Sequence, residues 1–262
     1  MSIPFSKYQG TGNDFILIDN RQGQYAFTRA KIAEMCNRRF GIGADGLILL
    51  NSHSTLDFEM KNYNSDGGEC SMCGNGARTL VQFASDQGIK KDAYRFMAID
   101  GEHEAILKNK EIELKMQSVL DIKDTPVGLA LDTGSPHLVV EVENLLAFDV
   151  VREGRKLRNS ALFLPAGINV NFVEQKNDHL FLRTYERGVE DETLSCGTGA
   201  IAAAISSILD PNLDQTQTYG QKEITVECQG GRLKVRFEKK TRTHFEEIWL
   251  IGETKKTFEG TL

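Results

Sequence analysis

Proline is scarce in this chain, five among 262 residues, and tryptophan occurs once. No stretch is low in complexity, so spacer-like and collagen-like compositions are excluded. Positive charge is not in excess: 31 Lys and Arg face 37 Asp and Glu, a net charge of −6. That balance gives no general attraction for phosphate backbones or anionic bilayers, and neither a nucleic acid nor a membrane is expected as a partner. The longest apolar run, around Ala200 to Leu209, is interrupted by Ser206 and Ser207. It is too short to span a bilayer. The opening residues, MSIPFSKYQGTGNDF, lack the charged segment and apolar core of a signal peptide. A cytoplasmic protein is expected. Cysteines number five: Cys36, Cys70, Cys73, Cys196 and Cys228. An odd count without an export signal argues against a disulfide framework, which leaves buried fillers or chemistry.

What the chain does have is a globular composition, 40% hydrophobic and 26% charged, at a length that fits one large domain or two of ordinary size. Short alternating or β-branched segments predict strands at Phe15 to Asp19, Leu47 to Leu50, Phe58 to Tyr63, Arg95 to Ile99, Ile112 to Met116, Leu138 to Val142, Val170 to Val173, Leu180 to Tyr185, Glu223 to Cys228, Arg232 to Phe237 and Glu247 to Ile251. A helix is predicted from Thr28, its N-cap, to Arg39, with a stop at Gly41 and Cys36 on its apolar face. Two further helices start after Cys73 and Cys196, ending at Gly88 and Pro211. The second is apolar all round from Ala200 to Ile205, as in a helix enclosed on every side.

These two helices open alike, Cys-Gly-Asn-Gly-Ala and Cys-Gly-Thr-Gly-Ala, at an offset of 196 − 73 = 123. Thr11-Gly12-Asn13 parallels Thr133-Gly134-Ser135, and Tyr63-Asn64 parallels Tyr185-Glu186, each at an offset of 122 (133 − 11 and 185 − 63). Three matches in one order point to an internal duplication. The expected fold is mixed α/β (α+β): two pseudo-symmetric halves, each with strands around one buried, cysteine-headed helix. The join is expected near Ser118 to Thr125.

Gly41-Ile-Gly43-Ala-Asp-Gly46 matches GxGxxG, but a helix precedes it and a strand follows, the reverse of a dinucleotide site. A structural turn is the reading. Cys70 and Cys73 form a lone CxxC with no second ligand pair, so no metal is expected, and Cys70 reads as a small buried residue beside the site. Cys73 and Cys196 differ from the other cysteines. The first amides of a helix lack internal partners and the dipole there favours negative charge. That placement favours a thiolate over a thiol and makes a seat for a carboxylate, with glycines allowing close approach. Two opposed thiols suit inversion of a carbon that bears hydrogen, one removing a proton and the other returning one to the opposite face. Halves facing each other across a cleft would supply one cysteine per face. No lysine motif for pyridoxal phosphate stands out, so the carbanion needs a dry set of amide donors instead.

At these residues the chain resembles the diaminopimelate epimerases, from Lys7-Tyr-Gln-Gly-Thr-Gly-Asn-Asp-Phe15 to Glu259-Gly-Thr-Leu262. Its most specific motifs are Met72-Cys-Gly-Asn-Gly-Ala-Arg78, Tyr185-Glu-Arg-Gly188 and Cys196-Gly-Thr-Gly-Ala200. The resemblance implies strongly curved mixed sheets, each wrapped around a central helix. The last strand returns to the first domain, giving domains 1–118 plus 251–262 and 119–250. It implies conversion of LL- to meso-diaminopimelate without a cofactor, toward lysine and peptidoglycan, by a homodimer. Cys73 and Cys196 match the catalytic pair, and His137 and Glu186 match polar groups beside the thiols. Asn13, Asn64, Asn169, Glu186 and Arg187 match groups that hold the substrate's ends. Gly74, Asn75, Gly197 and Thr198 match the helix-start amides that take the α-carboxylate. Two departures are Gly46, where many members carry Gln, and Ser135, where many carry Asn. A proline- or histidine-type racemase on the same scaffold is the nearest rival reading, and a thiol redox or binding protein is the more distant one.

Overall fold

A computed structural model describes residues 2–209 and 219–262. The chain divides into two compact units, Met1–Leu114 with Gly252–Leu262, and Lys115–Ile251.

In the first unit the strands are β1 (Pro4–Gly10), β2 (Asn13–Asp19), β3 (Gly46–Asn51), β4 (Phe58–Asn64), β5 (Ala93–Ala98), β6 (Gly101–Lys108) and β7 (Glu111–Met116), with α1 (Arg29–Cys36) and α2 (Gly74–Asp86) between them. The second unit has β8 (Ile122–Thr125), β9 (Gly128–Asp132), β10 (Pro136–Glu141), β11 (Asn169–Gln175), β12 (Leu180–Glu186), β13 (Asp191–Thr193), β14 (Gly220–Cys228), β15 (Gly231–Lys239) and β16 (Phe245–Glu253), with α3 (Val150–Arg158) and α4 (Gly197–Ser207). The C-terminal strand β17 (Lys255–Thr261) pairs antiparallel with β1 and belongs to the first unit.

The two units repeat one topology. The first runs β17-β1-β2-β3-β4-β5-β6-β7, parallel only at β2–β3 and β4–β5. The second runs β8-β9-β10-β11-β12-β14-β15-β16, parallel only at β10–β11 and β12–β14. The register repeats too. Phe15 pairs with Gly46, and His137 with Asn169; Ile48 pairs with Asn62, and Asn171 with Thr184.

Both faces of the central strands are covered, which is why they read as nearly continuous apolar runs. In β2 and β3, Ile16, Ile18, Leu47 and Leu49 pack outward with Ile32, Met35 and Cys36 of α1. Phe15 and Ile48 turn inward to Gly76 of α2. In the second unit Leu138, Val170, Phe172 and Tyr185 pack with α3, while Val139, Val173 and Leu182 pack on α4. Ala200 to Ile205 of α4 are all buried, as the apolar-all-round pattern requires.

Element ends follow local chemistry. Thr28 caps α1 by accepting from the Lys31 amide, but α1 stops at Cys36, short of Arg39. The Asn37 side chain takes the Arg39 and Phe40 amides, which removes them from the helix. α2 ends in a Schellman turn: Ile89 N–H reaches Ala84 O, Gly88 N–H reaches Ser85 O, and Gly88 has φ +94. Pro211, expected to end α4, lies outside the described residues. The stretch expected as the join contains β8, which forms a hairpin with β9 across Pro126; the Thr125 hydroxyl bridges to Gly128 O.

Sequence reasoning gave α3 no helix, because VVREGRKLR carries too few apolar residues to show a stripe. Its central Gly154 explains how it fits. A Cβ there would lie 2.4 Å from the Tyr185 Cβ, so only glycine lets the helix approach β12. Gly154→Ala is expected to lower unfolding stability by about 1–3 kcal/mol through overpacking. A urea titration against wild type checks this; an unchanged midpoint refutes close helix–strand packing as the reason for the glycine.

Candidate functional site

Each unit presents a cysteine at the head of its enclosed helix. Cys73 is the N-cap of α2 and Cys196 the N-cap of α4, both with extended backbone, and neither side chain caps the first-turn amides. The carbonyl of each cysteine accepts the first helical bond, from Ala77 at 2.8 Å and Ala200 at 2.9 Å. The N–H groups of residues 74–76 and 197–199 thus precede the first i→i−4 backbone bond of their helix.

In the first unit, Asn13 Oδ1 accepts from Cys73 Sγ at 3.6 Å and from Asn75 Nδ2 at 3.4 Å. Asn75 Oδ1 in turn accepts from the buried Arg78 at 2.8 Å. Asn13 donates to Asp45 Oδ2 at 2.7 Å, and Asp45 is tied through Arg38 to Asp14, which Lys7 also pairs. Arg38 and Lys7 overcome the burial of Asp14 and hold its carboxyl well below the usual carboxylate range. Asp45 was not singled out from sequence, since its bonds to Asn13, Asp14 and Arg38 join separate segments and leave no periodic signal; Arg78 entered only as the end of the Met72 to Arg78 motif, and it is buried with hydrogen bonds to Thr11 and Asn75. Asn64 is exposed at the end of β4, paired in register with Gly46. A Cβ on Gly46 would stand 2.4 Å from Tyr63 O, so the backbone leaves no room for a side chain there.

The GxGxxG turn is structural. The amides of Gly41, Ile42, Gly43 and Ala44 bond to carbonyls of Asn37, Met35 and Cys36, at the end of α1 and just beyond it. Cys70 is half-buried, less enclosed than expected, with its thiol on Asn62 O at 3.6 Å; burial pushes its pKa up to about 12. Among the described residues no three of His, Cys, Asp and Glu are grouped to hold a metal.

The second unit is organised around Cys196. His137 and Asn171 are fully buried and Thr184 nearly so. Thr198 Oγ1 lies 3.5 Å from Cys196 Sγ and 2.9 Å from His137 Nε2. Asn171 Nδ2 reaches His137 Nδ1 at 2.9 Å and Leu138 O at 3.0 Å, while its oxygen accepts from Thr184 at 3.0 Å. A Cβ on Gly199 would lie 2.4 Å from Asn171 Oδ1, so this glycine makes room for the asparagine. Glu186 lies against Cys196. Burial and the Glu186 charge push the Cys196 thiol far up, against the Thr198 hydroxyl and the Gly199 amide, which pull down. Burial raises Glu186 as well. Asn169 donates to Ser135 Oγ at 2.8 Å and Pro136 O at 3.1 Å, and accepts from the Arg187 amide at 2.8 Å. Asn171 and Thr184 were missed from sequence, although a polar residue at an inward position of an apolar strand is a readable sign.

The sequence model of diaminopimelate epimerase matches residues 5–119 and 129–256. The chain belongs to the diaminopimelate epimerase family. It is therefore an isomerase, of the epimerase class. It is 48% identical to the diaminopimelate epimerase of Flavobacterium psychrophilum and 42% identical to that of Chlorobaculum tepidum, with 97–98% of this chain and 98% of each relative covered. The fold is shared with a PhzF-family phenazine biosynthesis protein of Bacillus anthracis, at a TM-score of 0.79 and 15% identity over 100% of this chain and 99% of that one. It is shared also with a hydroxyproline epimerase of Agrobacterium vitis, at 0.66 and 12% identity over 100% and 92%. The epimerase family fold is thus the repeated, sheet-rich α+β arrangement expected from the duplicated motifs.

Burial lowers the His137 pKa from its ordinary 6.5 to about 3, with the Arg187 charge adding to the effect. The unfolded chain then binds a proton that the folded one does not. Stability is complete above pH 6.5 and falls toward pH 3, by about 1.4 kcal/mol per unit at most. Urea titrations at stepped pH on wild type and His137→Gln test this. Their difference should show that slope between about pH 6 and about pH 4; parallel curves refute a neutral buried imidazole.

Proposed function

We propose that the chain interconverts LL- and meso-diaminopimelate without a resident cofactor, with Cys73 and Cys196 as the acid–base pair. The observation that carries this reading is the repetition, in both units of an epimerase-family chain, of a cysteine at the N-cap of an enclosed helix, ahead of its first amides. Inverting the α-carbon requires a base on one face and an acid on the other, and one thiolate with one thiol meets that requirement.

The resting division of protons is set by surroundings. Cys196, buried beside Glu186, favours the thiol. Cys73 is then the base that opens the cycle, and its electron pair takes the α-proton while Cys196 donates from the opposite face. The reverse reaction exchanges the roles. A helix dipole contributes only about 0.3–2 kcal/mol to holding the carbanion, whereas each amide donor in a dry site contributes about 2.7–4 kcal/mol. The amides at Gly74, Asn75, Gly197 and Thr198 are the proposed seat of the α-carboxylate, and their number makes a carbanion without an electron sink feasible. Asn13, Asn64, Asn169, Glu186 and Arg187 are the proposed groups for the two amino-acid ends, Arg187 supplying a cation. Lysine and peptidoglycan precursor synthesis supports a cytoplasmic site of action, and the family resemblance supports a homodimer.

Turnover in heavy water tests the reading. Wild type should place solvent deuterium at Cα of LL-diaminopimelate, and Cys73→Ser and Cys196→Ser should each lose about 10²–10⁴-fold in kcat while keeping the fold. Racemisation of proline alone, or full activity in either variant, refutes it.

A further inference from the structure

The buried groups behind Cys196 permit a single placement of hydrogen atoms. Leu138 O can only accept, so Asn171 must turn its amino group toward it. The Thr184 hydroxyl, donating to Asn171 Oδ1, fixes the other end of the amide. That same amino group meets His137 Nδ1 at 2.9 Å. An amino group only donates, so Nδ1 holds a lone pair and the neutral ring carries its proton on Nε2. Nε2 faces Thr198 Oγ1 at 2.9 Å. The hydroxyl accepts there and has its own proton left for Cys196 Sγ, 3.5 Å away.

We propose that Asn171 and Thr184 are positioning residues that lock His137 as the Nε2–H tautomer and thereby make Thr198 a one-way hydrogen-bond donor to the Cys196 sulfur. The proposal rests on Cys196 being a member of the acid–base pair. When Cys196 gives its proton to the substrate carbanion, the S–H bond breaks, the Cα–H bond forms, and the electron pair stays on sulfur. The Thr198 hydroxyl and the Gly199 amide then face the thiolate. As a thiol, Cys196 has the Glu186 carboxyl beside it. The sulfur has a partner in either state, and His137 never receives the proton. Glu186, on β12, is the charged group on Cys196, and Arg187, just after β12, the one on His137. In the first unit the same register positions carry Phe15, Ile48 and Asn62, so the arrangement belongs to the second half alone.

Two readouts test it without using diaminopimelate. On protein labelled with ¹⁵N-histidine, with His137→Gln for assignment, His137 should remain the neutral Nε2–H form from about pH 5 to about pH 8. An Nδ1–H tautomer or an imidazolium in that range overturns the proposal. The rate of Cys196 alkylation by iodoacetamide against pH, read by mass spectrometry, should shift upward by about one to two pH units in Thr198→Val and Asn171→Asp. Thr198→Ser should restore the wild-type midpoint. An unmoved midpoint in Thr198→Val overturns the proposal even if Asn171→Asp fails to fold. Lack of turnover on diaminopimelate in wild type would instead strike the functional reading and leave these two results intact.

Discussion

A helix enclosed on all sides can offer chemistry only at its ends. In α4 the residues from Ala200 to Ile205 are packed against strands all round, and most of α2 is buried as well. At the first turn the N–H groups have no preceding helical carbonyl to bond and point out along the axis. A residue placed there feels both the amides and the positive end of the dipole. Cysteine at that position is thus near the strongest backbone field its unit can provide, and the flanking glycines keep side chains out of the way. The sheet that surrounds the helix is what creates this condition, since without it the first turn would be hydrated and its field screened.

The duplicated frame was legible because it is written in short, local signals. Two Cys-Gly-x-Gly-Ala starts, two glycine turns and alternating strands recur at nearly constant offset, and the pairing registers keep that offset. The missing pieces were those whose cause is not local. Strand β6 mixes polar and apolar residues because part of its surface is exposed, and β1 because it buries Lys7 in an ion pair with Asp14. Helix α3 buries little more than Val150, Gly154 and part of Leu157, and its glycine reads as a breaker until Tyr185 is placed against it. The segment from Ser118 to Thr125 has linker composition, but half of it is a strand because Gly128 and Thr125 close a tight hairpin. In the same way, Cys73, Cys196 and the helix-start residues could be named from motif alone. Asp45 and Asn171 required the fold, since their partners lie 32 and 34 residues away in sequence.

The two halves share a backbone plan and differ in what fills it. Around Cys73 the equivalent positions are Phe15, Ile48 and Asn62, two of them apolar, and the other polar contacts come from Asn13, Asn75 and the ion-paired surface behind them. Around Cys196 the equivalent inward positions are His137, Asn171 and Thr184, with Glu186 against the sulfur. Two identical thiols would share a proton without preference. An unequal setting separates them, as the proposed division into one acid and one base requires.

A neutral histidine is the better component for such a setting. A buried imidazolium in this network would favour the Cys196 thiolate, and it would also compete for the proton of the thiol. Burial and Arg187 prevent that by keeping the ring uncharged. The ring still transmits direction, because the amide of Asn171 decides which nitrogen bears hydrogen. The demand for Gly199 follows from the same geometry: a Cβ there would collide with the Asn171 oxygen at 2.4 Å and crowd the Cys196 sulfur at 3.3 Å, so the glycine of the helix-start motif makes room for both. One residue type is thereby fixed by two separate requirements, which is a stronger constraint than either alone.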